Sequence, residues 1–218
     1  MARNTQRDAR DNERRRNQLL EAGFKLFSEN DIETISLQKI ADEADVGIAT
    51  VYNYYGSKAN LVIAISGKIW KEYWEEVAAK NNINPNDTSR NCYQMVELYL
   101  NCICQLYKER PDVLRFSSNY KTYICREKVE SNQLGAHLDT LMPMRQIFHI
   151  KYEEAKTDHS VRTDIPEDKL FSIVCMSMLA MAERYAQGIV WTRGETEDYC
   201  WELERIKEMI LDYVKPRD

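Results

Sequence analysis

The sequence predicts an all-α fold in which a few short helices lead, through one long helix, into a larger helical domain. Only seven glycines and five prolines occur among 218 residues, and charged residues make up 30% of the chain. Apolar residues also recur at spacings of three and four along most of its length. This combination favours long amphipathic helices over a turn-rich β fold.

The N-terminal segment predicts one helix followed by a capped turn. Apolar residues give a helix with one buried face over 13–29, and Asn30 and Asp31 end it. Ser36 is a good N-cap for a short helix over 37–44. The residues Asp45-Val46-Gly47 break that helix, and a second short helix follows over 48–55.

Longer helices fill the rest of the chain. Gly56 and Ser57 end the second short helix, and a helix over 58–80 follows them. The remaining periodic segments predict helices over 88–109, 112–134, 139–159, 167–191 and 195–214. The two domains are therefore predicted at 1–57 and 58–218.

The charge is distributed unevenly. The chain has a net charge of −5, but its first 16 residues hold six arginines and three acidic residues, a net charge of +3 that leaves −8 for the rest. A basic end on an acidic body favours an encounter with a polyanion, and a solvated terminus accounts for the same pattern. No apolar stretch resembles a signal peptide or a membrane span, so we expect a cytoplasmic protein without a membrane partner.

The two short helices have the spacing of a helix-turn-helix. Ala41 supplies a small residue where the helices cross, and Val51 supplies an apolar anchor. The second helix, over 48–55, also concentrates three tyrosines, at Tyr52, Tyr54 and Tyr55. Small and amide side chains beside phenolic hydroxyls suit a helix that reads base edges and contacts phosphates, with tyrosines that merely cover the hairpin as the alternative.

The stretch IADEADVGIATVYNYYGSK, residues 40–58, closely resembles the N-terminal domain of TetR-family transcriptional regulators. It departs from the usual family pattern at Asp45, in place of Gly, and at Gly47, often Ser. Asp tolerates a left-handed turn, whereas Gly47 lacks the hydroxyl that would cap the second short helix, so we expect weaker capping and retained DNA binding. The predicted DNA-binding residues are Thr34, Ser36, Leu37, Ile48, Ala49, Thr50, Tyr52, Asn53, Tyr54 and Lys58.

The resemblance implies a homodimer that binds a palindromic DNA operator and is most often a repressor released by a small effector. The dimer would use the last two helices, through Phe171, Met178, Met181, Tyr185, Trp201, Ile206, Met209 and Ile210. Aromatic and sulfur-containing residues of the middle helices suit an apolar or aromatic effector. The predicted effector-binding residues are Trp70, Trp74, Tyr99, Ile103, Phe116, Tyr120, Tyr123, Met144 and Phe148.

Other functions remain open at this point. The sequence has no nucleophile elbow, glycine-rich phosphate loop or zinc-ligand spacing, so we expect no enzyme activity, no cofactor and no metal. A helical adaptor that binds protein through the hairpin is an alternative. The six cysteines are expected to be small buried apolar residues, with a thiol-redox-responsive regulator of the same fold as the alternative.

Overall fold

The computed structural model describes residues 2–83, 89–130, 134–190 and 199–217, and every regular element within them is helical. Helices α1 (Ala2–Glu29), α2 (Leu37–Glu43), α3 (Ile48–Tyr55) and α4 (Lys58–Asn81) are followed by α5 (Cys92–Glu109), α6 (Pro111–Glu127), α7 (Gly135–Asp158), α8 (Glu167–Ala186) and α9 (Cys200–Val214). A short 3-10 helix, Ile32–Thr34, precedes α2. The predicted all-α fold is confirmed.

Local signals set the helix ends. The Ser36 hydroxyl accepts a hydrogen bond from the Lys39 amide at 3.1 Å, which confirms Ser36 as the N-cap of α2. Asn91 and Gln94 form a reciprocal capping box at the start of α5. Asn82 and Lys128, with φ of 51° each, follow the ends of α4 and α6 in the left-handed conformation that closes many helices.

Several predicted helices have different bounds in the structure: α5 begins at Cys92, α7 at Gly135 and α8 ends at Ala186, and the largest differences are those of α1 and α6. Helix α1 begins at Ala2, 11 residues before the predicted start, because residues 2–12 contain no proline or glycine and include good helix formers such as arginine and alanine. Helix α6 ends at Glu127, where Lys128 adopts a positive φ, rather than at 134. Parts of the predicted helices over 88–109, 167–191 and 195–214 lie outside the described residues.

The chain forms two compact units that differ from the predicted division at residue 57. The first comprises Met1–Trp70 and Arg115–His137, and the second comprises Lys71–Leu114 and Leu138–Asp218. Helices α4 and α6 therefore each contribute residues to both units. The predicted functional division at 57/58 remains a prediction.

The core of the first unit combines α1 to α4 with the C-terminal part of α6. Its fully buried side chains include Leu19, Phe27, Ile40, Leu61 and Phe116. A Cβ atom on Gly23 would lie 2.5 Å from Cδ1 of Ile65, so glycine is what allows α1 to approach α4 this closely.

Helix α6 also closes the C-terminal end of α1. Asn119 Nδ2 donates to the carbonyl oxygens of Phe27 at 2.8 Å and Asn30 at 3.1 Å, and Arg115 Nε donates to that of Ser28 at 3.3 Å. These carbonyls belong to the last turn of α1 and the residue after it, where helical partners run out. A segment about 90 residues away in sequence thus completes this helix end.

In the second unit, α5 packs against α8 and α9, and α8 packs against α9. Leu100, Ile103, Leu170, Met178 and Leu203 are fully buried within it. Among the described residues, no helix combines the length and the apolar character needed to cross a lipid bilayer.

Candidate functional site

Helices α2 and α3 form a helix-turn-helix whose turn depends on Asp45. That residue has φ of 53°, which confirms that Asp accepts the left-handed conformation here. Ala41 is fully buried and Val51 nearly so, as the crossing of the two helices requires. Gly47 is the N-cap of α3 and makes no side-chain capping hydrogen bond, which confirms the expected weaker cap.

The solvent face of α3 presents three of the predicted DNA contacts. Ala49, Tyr52 and Asn53 lie at i, i+3 and i+4 and are all exposed, with Tyr52 54% exposed. Ile48 instead packs against the core of the first unit, and Thr50 is half-buried. The exposed face thus contains one aromatic hydroxyl, one amide and one small side chain.

Tyr54 and Tyr55 turn away from this face. The Tyr54 hydroxyl donates to Asn12 Oδ1 at 3.1 Å, and the Arg16 guanidinium lies 4.9 Å from the centre of the Tyr54 ring. Tyr55 packs against the core, and burial raises the pKa of its hydroxyl. Tyr54 was predicted to contact DNA, and the structure places its ring against α1, where Asn12 and Arg16 lie about one turn apart.

Lys58 also bonds within the first unit. Its ammonium donates to the Glu33 carbonyl oxygen at 3.1 Å and lies 5.8 Å from the centre of the Tyr123 ring. Burial lowers the pKa of this ammonium. Its predicted role as a phosphate contact therefore competes with an internal one.

The other predicted DNA contacts lie at the start of α2. Thr34 and Ser36 are exposed, and the Thr34 hydroxyl donates to the Asp31 carbonyl oxygen at 2.8 Å. Leu37 is half-buried and packs against the core. Arg126 forms ion pairs with Asp31 at 3.7 Å and Glu33 at 3.4 Å close to this segment.

The second unit contains an apolar cavity of about 140 Å3. The Trp74 and Tyr99 rings stack there, with centroids 5.9 Å apart and planes 18° from parallel. The Tyr99 hydroxyl donates to the Cys175 carbonyl oxygen at 3.4 Å. The lining residues come from α4, α5, α7 and α8 and from the residue after Asn82: Trp74, Val77, Ala78, Ile83, Met95, Val96, Leu98, Tyr99, Cys102, Met144, Ile147, Phe148, Phe171, Val174 and Cys175.

Four of the nine predicted effector-binding residues line this cavity: Trp74, Tyr99, Met144 and Phe148. Phe116, Tyr120 and Tyr123 do not line it and instead pack in the core of the first unit, because the apolar face of α6 lies against α1 and α4. The remaining two are buried elsewhere, Trp70 in the first unit and Ile103 in the second. The sequence reasoning missed most of the aliphatic and thiol lining because, apart from Ile103 and Met144, it selected aromatic residues.

The cavity thiols are protonated at neutral pH. Burial raises the pKa of Cys175 to about 12 and that of Cys102 to about 11. Cys92 and Cys104 are buried as well, and burial raises their pKa values to about 12 and about 11. Redox sensing depends on an accessible thiolate, so these four cysteines are poor sensors and fit the expected apolar role.

A charged cluster lies at the surface of the second unit, between α7 and α8. His149 Nδ1 lies 2.7 Å from Glu167 Oε2, and one potential ligand atom from each of His149, Glu153 and Glu167 lies within 4.8 Å of the others. Cations already accompany both carboxylates, since Lys156 lies 2.6 Å from Glu153 and Arg145 lies 3.8 Å from Glu167. The guanidinium of Arg145 also lies 4.8 Å from the centre of the Phe171 ring, which lines the cavity.

The predicted dimer residues fall into three groups. Trp201 and Met209 are 68% and 71% exposed. Met181, Tyr185 and Ile206 are half-buried, and Tyr185 stacks on Tyr199 with ring centroids 4.7 Å apart. The rest are used inside the second unit: Phe171 lines the cavity, while Met178 and Ile210 are buried.

Exposed apolar residues that the sequence reasoning did not choose lie nearby on α8. Ile173 and Met176 are exposed at i and i+3, and the small residue Ala180 continues their row at i+7. Trp201 and Met209 occupy i and i+8 on α9, which packs against α8. Helix α8 therefore presents an exposed apolar row, and α9 presents two exposed apolar residues with the charged Arg205 between them.

Comparison with known proteins agrees with this architecture. An HTH-type transcriptional regulator of Staphylococcus aureus strain MRSA252 is 23% identical over 167 residues, which cover 75% of this chain and 78% of the relative. A TetR family transcription regulator from Marinobacter aquaeolei VT8 has a TM-score of 0.63 at 17% identity, covering 98% of this chain and 100% of the other.

Two regulators named FadR share the fold as well. FadR from Bacillus halodurans, a fatty acid degradation regulator, has a TM-score of 0.67 at 12% identity, covering 90% of this chain and 94% of the other. FadR from Bacillus subtilis, solved in complex with stearoyl-CoA, has a TM-score of 0.63 at 12% identity, covering 90% of this chain and 98% of the other. At these identities the structural comparisons establish the fold alone.

The sequence of the helix-turn-helix itself carries the assignment. A profile of the bacterial regulatory proteins of the tetR family matches residues 19–65, which span most of α1, the whole of α2 and α3, and the start of α4. Residues 19–65 thus form a DNA-binding domain of the tetR family, and the chain is a DNA-binding transcriptional regulator.

Proposed function

We propose that this protein is a homodimeric repressor that a small, largely apolar or aromatic ligand releases from a palindromic operator. The exposed row of Ala49, Tyr52 and Asn53 on the second helix of a helix-turn-helix carries the proposal. In a dimer, two such helices would enter successive major grooves about 34 Å apart. A palindromic operator mirrors that two-fold symmetry.

Within the groove, the three exposed side chains have different roles. The Asn53 amide can donate to and accept from an adenine edge at once, which makes it the base reader. Ala49 is small enough to let the helix approach the bases. The Tyr52 hydroxyl contacts a phosphate, which positions the helix without reading sequence.

Dimerisation is assigned to the exposed apolar residues of α8 and α9. Trp201, Met209, Ile173 and Met176 would be buried between two copies, and the large area of an exposed tryptophan favours its role as an anchor. A face of this kind, repeated on both copies, forms the self-complementary contact of a two-fold dimer. Met178 and Ile210 support the same surface from inside the protomer.

The cavity limits the effector by size and polarity. A cavity of about 150 Å3 lined by Leu, Ile and Phe binds benzene, so the present volume of about 140 Å3 suits a single aromatic ring or a short apolar group. Arg145, beside the lining residue Phe171, could meet an anionic substituent. The stearoyl-CoA bound by the Bacillus subtilis FadR shows that this fold accommodates an apolar group joined to an anionic one.

Helix α4 provides a route from ligand to DNA. It is continuous over Lys58–Asn81, with Leu61 and Ile65 in the core of the first unit and Trp74 and Ala78 lining the cavity of the second. A ligand that favours one position of α4 would shift the population of states that fit the operator.

The proposal is tested by selecting bound duplexes from a random DNA library at near-physiological salt and sequencing the survivors. We expect enrichment of an inverted repeat, together with a dimeric mass in solution. Failure to enrich any motif by a folded, dimeric protein would contradict operator binding and favour the adaptor alternative. A protein partner would also give a weaker salt dependence than phosphate contacts do.

Asn53→Ala is expected to relax base preference at one position of each half-site. A bidentate amide contact is worth about 1–3 kcal/mol of discrimination between bases. The ratio of affinities for the preferred base and for the other bases at that position should therefore fall roughly 5- to 150-fold. The control is Tyr52→Phe, which removes one hydroxyl and should weaken binding to all sequences alike. The measurement is repeated selection with each variant, and an unchanged motif for Asn53→Ala would exclude Asn53 as a base reader.

Ala78→Phe is expected to fill the cavity and abolish binding of a small aromatic probe. Ala78 lines the cavity and Ala79, the next residue of α4, is exposed, so Ala79→Phe is a matched control. Toluene should raise the melting temperature of the wild type and of Ala79→Phe, because a ligand that binds the folded state stabilises it. An equal rise for Ala78→Phe would show that toluene binds elsewhere.

A further inference from the structure

Helix α1 extends well beyond the domain that the family profile defines. The profile begins at residue 19, whereas α1 begins at Ala2. Arg7, Arg10 and Arg14 in this extension are exposed and lie at i, i+3 and i+7, so they share one helix face. With 3.6 residues per turn, that face is turned away from Leu19 and the rest of the buried side of α1.

The charge around this row favours a polyanion. The first 16 residues have a net charge of +3, while the rest of the chain has −8. Asp11 is the acidic neighbour of Arg14, at 3.8 Å, and both side chains are largely exposed in this pair, so water screens it. Since residues 17–218 would repel a polyanion, a polyanion that approaches this chain is attracted to the extension.

The extension is attached to the DNA-reading helix. The Tyr54 hydroxyl of α3 donates to Asn12 at 3.1 Å, and Arg16 lies over the same ring at 4.9 Å. Tyr54 directly follows Asn53 in the sequence. Because a helix rises about 1.5 Å per residue, Arg7, Arg10 and Arg14 all lie within about 8 Å of Asn12 along the axis of α1. With about 3.6 residues per turn, they lie on the opposite side of α1 from Asn12, so the row faces outward from the contact with Tyr54.

We propose that Arg7, Arg10 and Arg14 form a phosphate-contacting row that extends the DNA interface beyond the helix-turn-helix. The row reads no bases: its guanidinium groups add affinity for the DNA backbone, and the Tyr54 contacts fix α1 against α3 with the row on the outer side of α1. The inference deepens the proposed function and rests on it, in that the polyanion is taken to be the operator DNA. It assigns to the extension a role in affinity and salt dependence and none in sequence preference.

The test is the salt dependence of DNA binding by a triple variant, Arg7→Gln, Arg10→Gln and Arg14→Gln. Glutamine is nearly as good a helix former as arginine, so α1 should persist in circular dichroism. The control is Lys71→Gln, Lys169→Gln and Lys215→Gln, which removes the same charge from exposed side chains of the second unit. Affinity is measured by fluorescence anisotropy from 50 to 300 mM salt, on the selected operator and on a random duplex.

We expect the arginine variant to bind both duplexes at least about tenfold more weakly at 150 mM salt, with its base preference unchanged. The slope of log affinity against log salt should fall by up to about 0.9 for each arginine in each protomer. The lysine control should retain the wild-type slope. Equal slopes for the arginine variant and the wild type would overturn the inference. If the oligomeric mass of the variant also changed, the row would be assigned to a contact between proteins.

The two duplexes keep this test separate from that of the proposed function. If selection enriches no operator, the proposed function fails, and the random duplex still reports whether the arginine row contacts phosphates. If an operator is found and the slope does not change, the inference alone fails.

Discussion

Ala49→Glu is expected to abolish operator binding, with a loss of at least about 100-fold on every sequence. Ala49 is exposed on the face of α3 that also presents Tyr52 and Asn53, so a carboxylate there would face the bases and phosphates. Placing like charges together at an interface costs several kcal/mol. The measurement is fluorescence anisotropy on the selected operator.

The same variant should fold normally. Ala49 is the second residue of α3, and a negative charge in the first turn interacts favourably with the helix dipole. Loss of binding with an unchanged or raised melting temperature therefore separates recognition from stability. The control Ala49→Gln adds a similar volume without charge and should bind better than Ala49→Glu, whereas equal affinities would indicate that this face does not meet DNA.

Phe116→Ala is expected to destabilise the DNA-binding unit by about 3–5 kcal/mol, the usual cost of removing a buried phenyl ring. Phe116 is fully buried, and its ring packs edge-on against Phe24 of α1 at 5.5 Å. Hydrogen exchange should therefore speed up at amides of α1, α2 and α3. Because the chain forms two units, exchange at individual amides is a better measure here than one melting temperature.

The controls for this prediction are Phe116→Leu and a change in the second unit. Leucine keeps much of the buried apolar volume, so Phe116→Leu should cost less than Phe116→Ala. Ile103→Ala removes a fully buried side chain of the second unit. Equal acceleration of exchange in α1 to α3 by Phe116→Ala and Ile103→Ala would contradict a specific role for Phe116 in the first unit.

The features that the sequence predicted well are those set by neighbouring residues. The turn at Asp45, the N-cap at Ser36 and the bounds of α3 follow from side chains within a few positions of each other. The exposed row of Ala49 and Asn53 follows in turn from helical periodicity.

The features that it predicted poorly depend on distant partners. Periodicity shows that one face of α6 is apolar, but it does not say whether that face covers the effector cavity or α1. Phe116 and Tyr120 were therefore predicted to bind the effector, whereas they pack in the core of the first unit. Tyr54 is a similar case, because its partner Asn12 lies 42 residues away and belongs to a segment that the predicted α1 did not include.

The side chains of α6 that pack on α1 also determine when the first unit can fold during synthesis of the chain. Asn119 caps carbonyls at the end of α1, and Ile124 is the last α6 residue of the first core. At about 5–20 residues per second, the ribosome needs about 3–12 s to extend the chain from residue 65 to residue 124. During that interval the nascent helix-turn-helix has every DNA-facing residue but lacks the aromatic cover over α1 and α4. Co-translational folding of this domain is therefore expected to wait for α6, and chaperones that bind exposed apolar surface would act on it in that interval.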